Sequence, residues 1–219
     1  MSIIKEISEI NFDALPLTEA VYQKLLRDIL TGHIKKDSRL VEQKVCEMYS
    51  ASRTPVREAL GRLEKDGVIR LVPNKGAIVT GFSDQEISDF FEMRTDYEIL
   101  AVRWGIERIT EEQMDELDEI YDFMKFYTAK DDIPKMISIN TAFHRQIYKA
   151  AHNRLLEDTL IRYQTIINYC SSSNYFAPGY LQKVFKEHSR IYNAFKNENP
   201  DNGARAMKVH MKSSMKRRG

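Results

Sequence analysis

The chain has 219 residues, a formal net charge of +1, 42% apolar and 30% charged residues, which is the composition of a globular protein of one or two domains with a sizeable core. No apolar run approaches the roughly 18 residues that span a bilayer, and no basic segment followed by an apolar one marks a secretion signal, so a membrane partner is not expected. Cys46 and Cys170 are too few and too far apart for a disulfide framework or a zinc knuckle, and a reducing cytoplasm is the expected setting.

In chain order, residues 1–16 show no clear period and read as an N-terminal arm, with Ile3, Ile4, Ile7 and Ile10 spaced to pack a short helix onto a neighbour. Val21, Leu25, Leu26, Ile29 and Leu30 predict an amphipathic helix from about Thr18 to Thr31, which Gly32 stops. Leu40, Val45 and Met48 mark a second, short helix, joined to a third by Tyr49-Ser50-Ala51. In the third, Thr54 is placed to cap, Pro55 falls at the first helical position, and Val56, Ala59, Leu60 and Leu63 form a buried stripe. Arg53 and Arg57 then project from an exposed helix start with free N–H groups, a geometry that suits phosphates and guanine edges. Taken alone, the same stretch also reads as an ordinary surface helix with a few arginines. Two short helices joined this closely are what a helix-turn-helix requires, the second entering the major groove. Val68 to Val72 and Ala77 to Val79 read as two strands, with Pro73-Asn74-Lys75-Gly76 as the turn of a hairpin wing.

Thr80-Gly81-Phe82-Ser83 is the linker, and Ser83 with Glu86 forms a capping box for a new helix. From there helices are expected at about 84–108, 111–129, 133–151, 153–173, 180–197 and 200–217. Thr110 and Asp132 are capped starts, and Pro178-Gly179 and Asn199-Pro200 are breaks. The fold class is therefore mainly α: a winged helix-turn-helix at 17–80 and an all-helical bundle at 84–219. Residues 16–80 hold twelve Lys and Arg against eight Asp and Glu, a charge of +4, whereas 81–219 carry −1. Phosphate neutralisation is assigned to the first domain, and the modest excess favours a dimer that doubles the contacts.

Residues 17–80 resemble the winged helix-turn-helix of the GntR family of bacterial transcription regulators. The resemblance runs through Arg53-Thr54-Pro55-Val56-Arg57-Glu58-Ala59-Leu60, Leu63-Glu64-Lys65-Asp66-Gly67 and Pro73-Asn74-Lys75-Gly76-Ala77. It implies a homodimer on double-stranded operator DNA, with Ser52, Arg53, Thr54 and Arg57 on the operator and the wing tip Asn74, Lys75 and Gly76 in the minor groove. Gln43 stands where close relatives often carry an arginine that reads guanine; glutamine pairs instead with adenine or touches a phosphate. The helical region is similar to the effector-binding domain of the FadR-like branch, in its six-helix form.

Of five histidines, His33 reads as surface and His152 as a polar cap. His144, His188 and His210 each lie beside apolar neighbours, so each points to the bundle interior or its rim. By spacing they are either three separately satisfied histidines or three imidazoles that meet at one metal. The resemblance implies the second. Many relatives carry an aspartate four residues before a Phe-His pair and one histidine on each of the last two helices, all on one divalent metal. His144, His188 and His210 match, while Asn140 stands at the aspartate position, so the site gains a unit of positive charge. The expected cofactor is a divalent ion, zinc or nickel, whose open positions suit a small carboxylate effector. Arg94 is placed either to hold that carboxylate or to pair with Glu98, four residues on. Tyr163, Asn168 and Tyr169 are candidates to line the same cavity. The basic tail, Lys208, Lys212, Lys216, Arg217 and Arg218, is expected to stay solvated.

The leading expectation is a ligand-responsive DNA-binding regulator, with repression as the expected direction. A sensor of the ion itself and a three-histidine metalloenzyme are the alternatives. Against the enzyme, no carboxylate lies at a motif spacing that would make it a general base, and no phosphate loop or nucleophile motif occurs.

Overall fold

The computed structural model describes residues 15–73, 75–170 and 177–217, with the side chains of 167–170 excepted. The expected arm at 1–16 therefore lies almost wholly outside the described residues. Contacts divide the chain into two compact units, one ending at Ile87 and the other beginning at Ser88.

The first unit holds α1 (Leu17–Leu30), β1 (Arg39–Leu40), α2 (Glu42–Tyr49), α3 (Arg53–Lys65), β2 (Ile69–Val72) and β3 (Gly76–Val79). Val21, Leu25, Leu26 and Ile29 of α1 close on Val45, Val56, Leu60 and Leu63 to form its core. Ser50 adopts a left-handed conformation after α2 and turns the chain into α3. The polar ends are tied by Tyr22 Oη, which donates to Asp66 at 2.7 Å, and Tyr49 Oη, which donates to Asp28 at 2.8 Å.

Two expectations are corrected. Leu40 is not in the second helix: it lies buried in a short strand, β1, which pairs with β3 to give a three-stranded sheet of order β1-β3-β2. An isolated two-residue strand carries no period to read. Met48 does lie in α2, on its exposed side. The third helix begins at Arg53 with Ser52 as its N-cap residue, so Pro55 is its third residue rather than its first. Proline is still tolerated there, because N–H groups of the first turn have no intrahelical acceptor.

The second unit is a helical bundle: α4 (Asp84–Arg108), which starts in the first unit, α5 (Glu111–Ala129), α6 (Ile133–Ala150), α7 (Arg154–Cys170), α8 (Tyr180–Lys196) and α9 (Pro200–Lys216). These bounds follow the caps read from sequence. The Ser83–Glu86 and Thr110–Gln113 boxes both form, and Asp132 accepts the Lys135 N–H at 3.0 Å. The core runs through Ala101, Leu117, Met124, Ile139, Phe143, Ile147, Leu160, Ile191 and Met207. No described helix is long and apolar enough to cross a membrane.

Gly76 opens β3 at φ +84°, and a Cβ there would stand 2.3 Å from the Leu40 carbonyl oxygen. Backbone oxygen on a paired strand cannot step aside, and the positive φ adds its own cost of about 1–2 kcal/mol for an L side chain. Gly76→Ala is expected to loosen the sheet and speed amide exchange in β1 and β3; wild-type protection in both strands would contradict this.

Candidate metal centre and nucleic-acid interface

The start of α3 is an exposed polar face. Ser52, Arg53, Thr54 and Arg57 all lie on solvent, and Gln43 of α2 is exposed beside Glu47, to which it donates at 3.3 Å. Arg57 Nε donates to Glu42 Oε2 at 2.7 Å, and Arg53 Nε lies 3.8 Å from Glu42 Oε1. Glu42 was not singled out from sequence, since its partners lie 11 and 15 residues away across a turn. In the wing, Lys75 is exposed and its carbonyl accepts from Arg39 Nε at 2.6 Å. Gly76 lets the chain turn there, while Asn74 lies outside the described residues.

In the bundle, α6, α8 and α9 bring His144, His188 and His210 together. Their metal-binding nitrogens lie within 4.8 Å of one another, and all three side chains are buried. His144 Nε2 and His210 Nε2 are 3.2 Å apart. Two nitrogens held about 2.05 Å from one zinc at a tetrahedral angle would be about 3.3 Å apart. Each Nδ1 is taken by an acceptor outside the cluster: Glu98 Oε2 for His144 at 3.0 Å, the Val184 carbonyl for His188 at 2.8 Å and Glu187 Oε2 for His210 at 2.9 Å.

Those partners fix the tautomers. A backbone carbonyl only accepts, so His188 must carry its proton on Nδ1. Burial, then the neighbouring imidazoles, push His188 well below the usual histidine range, so it is neutral. Its Nε2 is a buried lone pair without a hydrogen-bond partner among the described residues. Burial likewise pushes His210 down to about 4, against the opposing pull of Glu187. Burial would raise the Glu98 carboxyl, but His144, Arg94 and Tyr148 outweigh it and hold it at about 2. Burial is likewise outweighed at Glu187, where His210 and Arg217 hold the carboxyl at about 2. Both are carboxylates at neutral pH that accept Nδ1–H, so the Nε2 side of each ring is turned to the others; that of His188 is a lone pair, and those of His144 and His210 face each other at 3.2 Å. Three such imidazoles with their outer acceptors in place could hold a divalent metal.

Each carboxylate is itself clamped. Glu98 Oε1 accepts from Arg94 Nε at 3.0 Å and Nη2 at 2.9 Å, and from the Tyr148 hydroxyl at 2.5 Å. Glu187 accepts a two-pronged Arg217 at 2.7 and 2.9 Å. Arg94 thus makes the ion pair that sequence offered as one of its two roles. Arg217 is a correction: it is drawn into the protein by Glu187, although the neighbouring Lys208, Lys212 and Lys216 are exposed as expected and Arg218 lies outside the described residues. Asn140 is half-buried, one helical turn before His144. Tyr163 packs on Phe90 and Tyr97, with ring centroids 5.4 and 6.0 Å away; Asn168 and Tyr169 have side chains outside the described set. His33 is exposed and bonds Thr31 at 2.8 Å. His152 follows α6 at φ +50° with Nε2 3.0 Å from Gln113 Oε1.

Residues 17–79 match the bacterial regulatory proteins of the gntR family, and residues 89–213 match the FCD domain. The HTH-type transcriptional regulator YdhC of Bacillus subtilis is 26% identical over 190 residues, 86% of this chain and 85% of its own. The HTH-type transcriptional repressor RspR of Escherichia coli is 25% identical over 199 residues, 90% of this chain and 86% of its own. The solved structure of Escherichia coli McbR/YncC superposes with a TM-score of 0.71 at 22% identity, over 92% of this chain and 96% of that one, and so shares the fold.

Removing one partner of a buried ion pair leaves a bare charge and costs about 3–5 kcal/mol. Glu98→Gln is therefore expected to destabilise the bundle by about that much, and adding Arg94→Met should recover part of the loss. The single tryptophan, Trp104 in α4, reports this directly in fluorescence-monitored urea unfolding. An unchanged midpoint for Glu98→Gln would contradict the assignment of this pair.

Proposed function

The chain belongs to the GntR family of bacterial regulatory proteins, with an FCD domain behind its winged helix-turn-helix, and we propose that it is a homodimeric, effector-responsive repressor. In this reading His144, His188 and His210 hold one divalent metal, zinc or nickel, and a small carboxylate binds on it. Regulation of transcription through DNA, not catalysis, is the activity of the family. A bacterial regulator of this kind works where the DNA is, in the cytoplasm.

The observation that carries the metal is the convergence of three buried imidazoles, with the Nε2 of His188 left without a partner among the described residues. Charge supports the carboxylate. Arg94 offsets Glu98 and Arg217 offsets Glu187, and Asn140 adds no charge as a weak fourth ligand or a hydrogen-bond partner. A divalent ion among neutral imidazoles then keeps nearly its full charge, which favours an anion in its open positions. One observation favours the ion alone as the effector: Arg94, the residue expected to hold the far end of a carboxylate, is engaged by Glu98. Titrating the protein on its DNA with zinc alone, and then with zinc plus a panel of mono- and dicarboxylates, separates the two readings. A response to zinc that no carboxylate alters would leave the ion as the signal.

On the DNA side, Gln43, Ser52, Arg53, Thr54 and Arg57 face the major groove, with the wing tip at Asn74, Lys75 and Gly76 in the minor groove. A domain of charge near +4 has few phosphate contacts, which supports a symmetric dimer on two half-sites. RspR, a relative over most of its length, is a repressor by name, which supports repression as the direction.

Two outcomes are expected. With a duplex that the wild-type chain selects from a random pool, Arg57→Ala should cost about 1–3 kcal/mol, roughly 5- to 150-fold in affinity. Lys75→Ala should instead weaken every sequence alike and lower the salt slope by about one unit. Wild-type affinity in Arg57→Ala would sink the assignment of α3 as the reading helix. For the metal, protein purified without chelator should carry about one divalent ion per chain, and His188→Ala should lose it. Wild type and variant both free of metal would make the three histidines structural.

A further inference from the structure

We propose that Arg217 is a positioning residue for the metal centre: through Glu187 it fixes the His210 ring, so that docking of the last turn of α9 and metal binding are one linked event. This rests on the reading of the three histidines as metal ligands.

The geometry runs in one line from the end of α9 to the cluster. His210 and Arg217 are seven residues apart, so they lie on one face of the helix, two turns from each other. Glu187, on α8, stands between them. Arg217 Nη1 donates to Glu187 Oε1 at 2.7 Å and Nη2 to Oε2 at 2.9 Å, and the same Oε2 takes the His210 Nδ1–H at 2.9 Å. The Arg217 side chain is 20% exposed and that of Glu187 12%, so this is not a solvated surface pair. The guanidinium also lies 5.7 Å from the centre of the Tyr180 ring.

A glutamate carboxylate turns freely about its last torsion, in which no single well is favoured. A planar fork on both oxygens removes that freedom and aims Oε2 at the imidazole. The other two rings need no such device from a helix end. His188 is held by the carbonyl of its own helix one turn back, and His144 by Glu98 within the buried middle of α4 and α6. His210 alone among the three is oriented through a residue at a helix C-cap, where the last turn opens at low cost. What the metal gains from an oriented His210, the last turn gains from the metal, because linkage between two events is reciprocal.

The test uses the full chain, stripped of metal and titrated with zinc against a competing chelator. Amide exchange over residues 212–217 is followed in parallel. Wild type should bind one zinc, with the last turn more protected when zinc is present. Glu187→Gln and Arg217→Met should weaken zinc about 10- to 100-fold, the range for groups that orient a metal ligand, with Arg217→Met at the low end. Zinc should no longer protect the last turn in Arg217→Met. Arg217→Lys, which keeps the charge without the fork, should fall between, and the exposed neighbour variant Lys216→Met should match wild type. Trp104 fluorescence checks that each variant is folded, and Arg217→Lys carries the test if Arg217→Met is not. If wild type takes up no zinc, the metal reading fails and the clasp with it. If wild type binds zinc while Arg217→Met and Arg217→Lys bind within about twofold of it, or zinc leaves the last turn unchanged, the clasp alone is refuted.

Discussion

Three imidazoles whose inner nitrogens converge in a buried core crowd one another unless a proton or a metal cation lies between them. The Nε2 of His188 has no other partner among the described residues, while those of His144 and His210 have only each other, at 3.2 Å. Each Nδ1 proton is already committed, to Glu98, to the Val184 carbonyl and to Glu187. Burial keeps His188 and His210 from relieving this crowding by taking up a second proton at neutral pH. The costs around this core are large and local. Two carboxylates and two arginines are taken out of water, and each is offset by a close, hydrogen-bonded partner. Such pairs contribute little net stability compared with apolar packing, so their presence is better explained by the orientation they impose.

The first unit follows a different physical logic. Its charges lie on the surface, where single pairs are weak and screened by salt, and its apolar core of helices and a small sheet only has to present them. Glu42 ties Arg57 and sits near Arg53, so the two exposed arginines at the start of α3 share one carboxylate. The sheet depends on the close pass of β1 and β3 at Gly76, which sets where the wing tip begins.

Much of this was legible in the sequence, for identifiable reasons. Helix ends were legible because caps are local: Ser83 with Glu86, Thr110 with Gln113 and Asp132 with Lys135 each act over three residues. The inward facing of His144, His188 and His210 was legible from their apolar neighbours, although their convergence needed a family resemblance, since spacing alone allowed three separate sites. The surroundings of the cluster were not legible. Glu98 meets His144 across 46 residues and Tyr148 across 50. Glu187 meets Arg217 across 30, which is why Arg217 read as one more solvated base in a basic tail. Strand β1 was missed because Leu40 fits a helical stripe as well as a two-residue strand. Asn168 and Tyr169, offered by sequence as cavity-lining residues, have side chains outside the described set.

The most direct measurement is the protonation of the three rings themselves, read from side-chain nitrogen resonances of the histidines at neutral pH, with and without zinc. With zinc, all three should show protonated Nδ1 and a metal-shifted Nε2; without it, His188 should keep the proton on Nδ1. A proton on Nε2 of His188, or rings that do not respond to zinc, would contradict a metal centre at this cluster.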